Sequence, residues 1–354
     1  MSTDVKPERL FLDYNAGAPL LPEARAAMLQ TAHLCGNPNG MHEESRHASM
    51  VIERARDQVA KLVSAKPNEI FFFPSASLAN YFLVTSFKHV LTSPFEHPSI
   101  LKAIEGVTSA QPELTSHLIA SNETGEIYDV ERFFARHPDA KKHSDMSQAV
   151  GKIPINLGAL SRDIGLDFAT ISSQKIGGGK GAAALYARQG KLPLSLIKKL
   201  FALGTPNASA IASSGAAAEK AYSTVVRFES KIKPLRDQLR SRIQSDISNV
   251  VINTPSNSLP NTLNVSFPGA EGESIMLLLD HSGVAVSTGS ACTTSDSAPS
   301  HVLMSLYKDL SRDQAAEIAH SSIRFSFPPD APADSVDRIM HVLPDIITKL
   351  RGIS

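Results

Sequence analysis

Short apolar runs alternate with helix-like segments over most of the chain, and this alternation limits the fold more than any other feature. Apolar runs typical of buried strands lie at 70–73, 89–92, 115–120, 167–172 and 182–186, and a further strand-like segment lies at 141–145. Residues 45–63 carry apolar side chains at helical spacing with charged ones on the opposite face, which predicts an amphipathic helix. Strands that alternate with helices predict an α/β domain with a largely parallel sheet.

A second region follows a long helical stretch. Residues 208–246 have a helical pattern that passes through Pro234, where we expect a kink or break. We expect a domain boundary in this stretch. Beyond it, strand-like runs at 262–267, 284–287 and 322–325 and helices near 273–281 and 335–350 predict a smaller α/β domain.

Composition excludes several classes of protein. The 354 residues include 35 basic and 35 acidic side chains, so the zero net charge argues against a dedicated nucleic-acid binder. No window approaches the roughly 20 apolar residues of a membrane span. The first residues mix charged and apolar side chains, so we expect no signal peptide. The two cysteines, Cys35 and Cys292, make no disulfide framework or cysteine-rich zinc site, which favours the cytoplasm.

Two lysines lie among glycines just after the apolar run 167–172, in the segment 172–181. A phosphate-binding P-loop fails on spacing, because Lys180 is followed by Gly181 rather than Ser or Thr. A glycine-rich turn with solvated lysines is one interpretation. The other makes Lys175 an imine-forming lysine of a pyridoxal phosphate site, which also needs an acid for the pyridine nitrogen. Asp145, at the end of 141–145, is a candidate for that acid, or else a turn residue.

Further motifs run in order along nearly the whole chain. They are 12–16 (LDYNA), 36–38 (GNP) with His42, 96–99 (EHPS), 122–125 (NETG), 145–152 (DMSQAVGK), the Lys175 segment, 261–267 (NTLNVSF), 289–293 (GSACT) and 321–326 (SSIRFS). With these motifs, the chain resembles the cysteine desulfurases of the class V aminotransferase family, which take part in iron–sulfur cluster assembly.

The resemblance implies the fold type I architecture of pyridoxal phosphate enzymes. A large cofactor-binding domain over 16–224 would hold a mainly parallel mixed sheet flanked by helices. A small α/β domain would combine 1–15 with 225–354 and carry the cysteine loop. The resemblance also implies a cytoplasmic homodimer that binds neither nucleic acid nor a membrane, with no metal.

The resemblance assigns roles around the cofactor ring. Lys175 would form the covalent bond to pyridoxal phosphate and then carry protons. Asp145 would pair with the pyridine nitrogen, because a close carboxylate favours its protonated form. His97 would stack on the ring and transfer protons, and Asn122 and Gln148 would lie near the phenolic oxygen. His97 could instead be a buried, hydrogen-bonded histidine or a helix cap, and Asn122 and Gln148 could be turn amides.

The cofactor's phosphate would bind where Ala76 and Ser77 open a helix, because the N–H groups of a helix N-terminus suit an anion. Ser172 and Gln174 would add side-chain donors. Thr205 would reach the phosphate of the neighbouring subunit. Each of these small polar residues could equally be an ordinary cap or turn residue.

Cys292 lies among turn-forming residues, which are typical of an exposed loop. By the resemblance its thiolate would take sulfur from L-cysteine, release alanine, and pass the persulfide to an acceptor or cluster-scaffold protein. Arg324 and Asn15 would bind the substrate; a guanidinium suits a carboxylate, although Arg324 could instead form a surface ion pair. Cys35 lacks such surroundings, and we expect an ordinary structural residue.

Some positions depart from the family pattern. Gln174 stands where the family usually has a histidine, and Leu78 stands where it has an acid. The regions before Asn122 and between Arg188 and Thr205 are shortened. Two alternatives stay open, and these departures motivate the second of them. One is a selenocysteine lyase or related β-eliminating lyase, and the other is a degenerate, non-catalytic scaffold of the same fold.

Overall fold

The computed structural model describes residues 9–104, 111–288 and 298–352. Its residues group into two compact units. Unit 1 takes Met1–Ala16, Asn122–Glu126 and Arg227–Ser354, so far as these are described, and unit 2 takes Gly17–Ser121 and Ile127–Val226 on the same terms. Each unit has its own sheet and core.

The described strands are β1 (Leu10–Phe11), β2 (Ile70–Phe73), β3 (Val90–Thr92), β4 (Leu114–Ser116), β5 (Lys141–Asp145), β6 (Phe168–Ser172), β7 (Ala183–Ala187), β8 (Val251–Ile252), β9 (Thr262–Ser266), β10 (Val284–Ala285), β11 (Ser287–Thr288) and β12 (Ser322–Ser326). The described helices are α1 (Pro22–Thr31), α2 (Glu43–Leu62), α3 (Ala76–Val84), α4 (Pro98–Leu101), α5 (Val130–Phe134), α6 (Leu157–Asp163), α7 (Leu194–Phe201), α8 (Ala208–Asp246), α9 (Gly272–His281), α10 (His301–Leu306), α11 (Arg312–His320), α12 (Ser335–Met340) and α13 (Leu343–Arg351). Short 3-10 turns lie at Pro67–Glu69, Lys102–Ile104 and Ser173–Lys175.

Unit 2 contains a six-stranded sheet in the order β2-β7-β6-β5-β4-β3. Strands β3 to β6 are parallel, and β7 runs antiparallel to both its neighbours. The mainly parallel mixed sheet predicted from the sequence is therefore confirmed. The regular strand β4 ends at Ser116, earlier than predicted, although His117 and Ile119 still donate backbone hydrogen bonds to His143 and Asp145.

The core of unit 2 forms where apolar side chains of the sheet meet the helices. Phe168 and Leu185 of the sheet pack with Leu83 of α3 and Leu196 of α7, and all four are fully buried. Burying a side chain of this size stabilises the fold by about 1.5–3 kcal/mol relative to exposure. This packing fixes α3 against the sheet, and the N-terminus of α3 belongs to the candidate site described below.

Unit 1 contains an antiparallel four-stranded sheet in the order β11-β12-β9-β8 and a separate parallel pair, β1 with β10. Its core includes the buried side chains of Phe267, Phe325 and Phe327. The predicted strand 284–287 is divided between β10 and β11. The predicted helix 335–350 is likewise two helices, and Pro344 in the first turn of α13 lacks the N–H that a continuing helix needs.

Helix α8 is continuous over 39 residues, so the break considered at Pro234 is not observed. A proline inside a helix removes one hydrogen bond and crowds the preceding turn. Ile232 and Leu239 flank it, and both are completely buried. Tertiary packing of this kind stabilises a helix more than propensity does. No described helix is both long and apolar enough to span a bilayer.

Candidate active site

Chemistry-bearing side chains collect at one edge of the unit 2 sheet. Asp145 ends β5 and Ser172 ends β6, and the two strands run parallel with Asp145 opposite Thr170. Lys175 closes the 3-10 turn that follows β6 and is half-buried. Because adjacent parallel strands end at the same edge of a sheet, this is the edge at which α/β proteins bind ligands.

Asp145 is held in place by two donors. Its Oδ2 accepts a hydrogen bond of 2.7 Å from Nδ2 of Asn80, and its Oδ1 accepts one of 2.9 Å from the backbone N–H of Ser147. Asp145 and Asn80 are both buried. A carboxylate fixed by two hydrogen bonds keeps one orientation, as an acid that pairs with a ligand nitrogen must.

His97 joins the same group through a serine. Nδ2 of Asn80 also lies 3.2 Å from Oγ of Ser99, and that hydroxyl lies 2.8 Å from Nδ1 of His97. The backbone N–H of Ser99 donates to the same Nδ1 at 3.1 Å. Because Nδ1 accepts, a neutral His97 carries its proton on Nε2. His97 thus has a fixed tautomer as well as a capping role before α4.

The N-terminus of α3 is a candidate anion site. Ser75 caps it by accepting from the N–H of Leu78 at 3.1 Å, and Ala76 and Ser77 are the first helical residues. N–H groups in the first turn of a helix have no partner inside the helix. A cleft of about 510 Å³ opens here. It is lined by Ser75, Ser77, Leu78, Tyr81, His97, Pro98, Ser99, Lys102 and Ala103.

The glycines after Lys175 form a tight turn. Gly177 has φ of +84°, a conformation that favours glycine. A Cβ on Gly178 would collide with Oγ of Ser173, and the N–H of Gly179 donates to Oγ of Ser213 at 2.9 Å. These contacts fix the backbone beside Lys175. The glycines therefore have a structural reason that is independent of any phosphate.

Gln148 is oriented by a buried lysine. Nζ of Lys152 donates to Oε1 of Gln148 at 2.6 Å, and both side chains are buried. An ammonium group can only donate, so the amide oxygen faces Lys152 and the NH₂ group points the other way. Gln148 thus presents a hydrogen-bond donor away from Lys152.

In unit 1, Arg324 is buried rather than at the surface. Its Nη2 donates to Oδ1 of Asp13 at 2.7 Å, and its Nη1 donates to the backbone oxygen of Asn122 at 2.9 Å. Its Nε is buried and has no hydrogen-bond partner among the described residues. The alternative of a surface ion pair is therefore wrong in its location, because the side chain of Arg324 is 3% exposed.

Asn15 forms hydrogen bonds to several separate segments of unit 1. Its Nδ2 donates to Oγ1 of Thr262 at 2.9 Å and to the backbone oxygen of Asn122 at 3.3 Å. Its Oδ1 accepts from Nδ2 of Asn261 at 3.2 Å, and its N–H donates to Oγ of Ser326 at 3.0 Å. The structure thus brings Asn15, Arg324 and the backbone of Asn122 into one buried cluster.

Glu123 is a buried acid in the same unit to which the sequence assigned no role. Ser300 donates a hydrogen bond to its carboxyl group, and Ser300 also caps α10 by accepting from Leu303. Burial raises the pKa of Glu123 to about 7, against the lowering effects of Ser300 and the positive charge of Arg324. Glu123 lies in the sequence motif 122–125, but its burial and its contact with Ser300 depend on long-range packing that the motif does not show.

The remaining predicted residues differ in their exposure, and one of them is not described. Thr205 is exposed between α7 and α8 in unit 2. Gln174 is half-buried, and its backbone oxygen accepts from the N–H of Ala18 at 2.9 Å. Cys292 lies outside the described residues. Cys35 is an exposed free cysteine, so it is not part of a core.

Comparison with known proteins identifies the family. The family model described as Aminotransferase class-V matches residues 10–111 and 96–339. A sheet of this topology, with a lysine after one strand and an aspartate at the end of its neighbour, is the architecture of fold type I pyridoxal phosphate enzymes. The chain belongs to the class-V aminotransferase family.

Relatives cover nearly the whole chain. Cysteine desulfurase IscS of Dictyoglomus turgidum is 34% identical over 388 residues, covering 98% of this chain and 96% of the relative. Cysteine desulfurase NifS of Azotobacter vinelandii is 30% identical, covering 98% of this chain and 94% of the relative. The structure of a NifS-like protein from Rickettsia africae is similar with a TM-score of 0.84, at 26% identity, covering 96% of this chain and 100% of the other.

The donor set of unit 2 fits the cofactor of this family. Pyridoxal phosphate offers an aldehyde, a pyridine nitrogen and a phosphate. The sheet edge offers a primary amine at Lys175 and a fixed carboxylate at Asp145, and α3 offers first-turn N–H groups at Ala76 and Ser77. Each group of the cofactor thus has a partner of complementary chemistry.

Proposed function

We propose that this protein is a pyridoxal phosphate-dependent cysteine desulfurase that converts L-cysteine to L-alanine and carries the sulfur as a persulfide on Cys292. One observation supports it most: Asp145 is fixed by Asn80 and Ser147 at the same sheet edge as Lys175. Two full-length relatives named cysteine desulfurase support the choice of reaction within the family.

The residues of unit 2 would hold the cofactor. Lys175 would attach it and afterwards move a proton at Nζ, while Asp145 would hold the pyridine nitrogen in its protonated form. His97 would stack on the ring, with a proton available at Nε2. The phosphate would bind to the N–H groups of Ala76 and Ser77, helped by Ser172 and Gln174. When bound, pyridoxal phosphate supplies an electron sink for the substrate's α-carbon.

The other predicted residues would complete the site. Gln148 and Asn122 would donate to the phenolic oxygen, and Thr205 would reach the phosphate of a second subunit. Arg324 would bind the carboxylate of cysteine with its guanidinium, and Asn15 would support it. The buried Nε of Arg324 supports a role for this side chain beyond its bonds to Asp13 and Asn122.

Cys292 would act as the nucleophile. Its thiolate would attack the sulfur of the bound cysteine, forming an S–S bond while the C–S bond breaks. The electron pair of the broken bond would go to the substrate carbon, which takes up a proton and leaves in alanine. The persulfide would then pass to a sulfur acceptor or cluster-scaffold protein. We propose a cytoplasmic homodimer with a large domain over 16–224 and a small domain formed by 1–15 with 225–354.

A set of four proteins tests this function: wild type, Lys175→Ala, Cys292→Ala and Cys35→Ala. Wild type should bind pyridoxal phosphate, seen as a visible absorption band, and release alanine from L-cysteine. Lys175→Ala should lose the covalently attached cofactor and alanine release. Cys292→Ala should keep the absorption band but lose alanine release. Cys35→Ala should match wild type, because its thiol has no assigned role.

Two outcomes would contradict the proposal. Unimpaired alanine release by Cys292→Ala, with selenocysteine as a parallel substrate, would indicate a selenocysteine lyase or another β-eliminating lyase. A wild-type protein that stays colourless with added pyridoxal phosphate would indicate the non-catalytic scaffold. The relatives named cysteine desulfurase favour neither alternative.

A further inference from the structure

Four side chains of unit 2 form a buried row beside Asp145. They are Glu96, Ser116, His143 and Thr170, which we call the buried row, and all are 0% exposed. Ser116, His143 and Thr170 come from the adjacent parallel strands β4, β5 and β6. His143 lies two residues before Asp145 on β5, so the two side chains share a face of the sheet.

The row is connected by hydrogen bonds at each step. Oγ of Ser116 lies 2.9 Å from Oε1 of Glu96 and 2.9 Å from Nδ1 of His143. Nε2 of His143 lies 3.0 Å from Oγ1 of Thr170. The four side chains therefore form one continuous chain of hydrogen bonds.

With Ser116 as the donor to Glu96, the other hydrogen bonds of the row take one direction. The hydroxyl of Ser116 has a single proton, which it donates to Glu96. Nδ1 of His143 must then donate to Ser116. A neutral histidine has no second proton, so Nε2 accepts from the hydroxyl of Thr170.

The charges of the row follow from burial. Burial raises the pKa of Glu96 to about 8, and the neighbouring charge of Asp145 adds to this effect. Hydrogen bonds from Ser116 and from the backbone of His97 and Leu118 act in the opposite direction but do not cancel it. Burial lowers the pKa of His143, although Asp145 opposes this. Burial therefore favours the uncharged form of both groups.

We propose that the buried row is a positioning device for the cofactor ring. It keeps Glu96 as a neutral acid and His143 as a neutral imidazole, and so leaves Asp145 as the anionic partner of the pyridine nitrogen. Glu96 is thus a positioning residue that acts through Asp145 and does not touch the cofactor. This inference rests on the proposed role of Asp145. Among the described residues, the titratable groups that face Glu96 include Asp145 and, through Ser116, His143.

The alternative arrangement has the same number of protons. An ionised Glu96 and a doubly protonated His143 could share Ser116, with Nε2 of His143 donating to Thr170. Two fully buried charges would then depend on their mutual attraction across a serine, and desolvation of buried ions is expensive. The two arrangements differ in the protonation of His143 and in the form of the Glu96 carboxyl.

Spectroscopy of the full chain with bound pyridoxal phosphate tests the proposal directly. In ¹⁵N-histidine-labelled protein near pH 7, His143, assigned with His143→Gln, should be neutral and protonated at Nδ1. The infrared spectrum of wild type should contain the C=O band of a protonated carboxylic acid that is absent from Glu96→Gln. Above pH 8 this band should disappear. A doubly protonated His143, or no acid band, would overturn the proposal.

A second set of variants tests the link to the cofactor. Glu96→Gln keeps a neutral group in place, so near pH 7 it should retain the absorption spectrum of bound pyridoxal phosphate. A step near pH 8 in that spectrum should occur in wild type and be absent from Glu96→Gln. Ser116→Ala should weaken cofactor binding about fivefold to tenfold, corresponding to one lost hydrogen bond.

Ser144→Ala is the matched control. Ser144 is equally buried on β5 but lies between His143 and Asp145, on the other face of the strand, and its Oγ has no partner among the described residues. It should leave spectrum and affinity unchanged. Equal effects of Ser116→Ala and Ser144→Ala, or the pH 8 step persisting in Glu96→Gln, would contradict the proposal. None of these readouts requires sulfur transfer, so failure of the desulfurase assay would be distinguishable.

Discussion

At the scale of single residues, the site depends on side chains that fix the orientation of others. Lys152 illustrates this, because the residue is 2% exposed and its ammonium group donates to the amide oxygen of Gln148. The lysine needs no contact with a ligand to affect binding. It fixes the orientation of the Gln148 amide, with the oxygen toward Lys152 and the NH₂ group away from it.

Lys152→Met should therefore have two effects. Loss of a hydrogen bond from a charged group should lower the free energy of unfolding by about 1.5–3 kcal/mol. The amide of Gln148 would no longer be held in one orientation, so pyridoxal phosphate should bind more weakly, measured by fluorescence titration. Lys349→Met, which removes an exposed lysine, should change stability by less than about 0.5 kcal/mol. Equal effects of the two variants would contradict this role for Lys152.

The sequence predicted some residues of the site and missed others for a physical reason. Lys175 and Asp145 lie in local motifs after strand-like runs, and the pattern of one segment is enough to find them. Asn80 contacts Asp145 across 65 positions of the chain, and Ser300 contacts Glu123 across 177. Such pairs depend on tertiary packing, which periodicity does not encode.

At the scale of elements, the start of α3 has both a structural and a binding role. Ser75→Ala removes the acceptor for the N–H of Leu78 and should cost about 1 kcal/mol of stability. It should also weaken binding of pyridoxal phosphate, because the frayed turn carries the N–H groups of Ala76 and Ser77. Equilibrium dialysis measures the affinity, and urea unfolding measures the stability.

Ser311→Ala is the control for this prediction. Ser311 caps α11 in unit 1 with a capping box that includes Gln314. Its loss should cost a similar amount of stability without changing cofactor affinity. If both variants weakened binding equally, the effect would come from general destabilisation and not from the α3 terminus.

The boundaries of elements show where local pattern and packing differ. Strands β2 and β5 have the predicted limits. For β2, the apolar run 70–73 is bounded by the charged Glu69 and by Pro74. The break considered at Pro234 is absent, since neighbours such as Ile232 and Leu239 are held in the core of unit 1. The segment 335–350 is divided into α12 and α13 because of Pro344. The sequence prediction of one helix followed the apolar stripe and did not take account of this proline.

At the scale of the whole molecule, buried acids should shape the pH dependence of stability. Glu96 and Glu123 have pKa values raised to about 8 and about 7, above the ordinary value of 4.5. Between pH 4.5 and these values the folded state holds protons that the unfolded chain releases. Their contribution to stability is therefore full below pH 4.5 and is lost as pH rises through that window.

Glu96→Gln should flatten this dependence. Each retained proton corresponds to a slope of about 1.4 kcal/mol per pH unit, and glutamine has no proton to release. Relative to wild type, the variant should gain stability on going from pH 5 to pH 8. Its midpoint of urea unfolding, measured without cofactor, should therefore fall less over this range than that of wild type. A parallel pH profile for the two proteins would show that Glu96 is ionised in the folded state.

The pairing of β1 with β10 has a consequence for how the protein is made. Leu10 pairs with Val284. During synthesis, the first described strand therefore stays unpaired until its partner, 274 residues later in the chain, has left the ribosome. The sheet of unit 2 is complete once β7 has emerged at Ala187. During synthesis, one unit can therefore mature while the opening segment of the other is still an exposed, unpaired strand. A nascent chain arrested before residue 284 would expose this unpaired strand to chaperones.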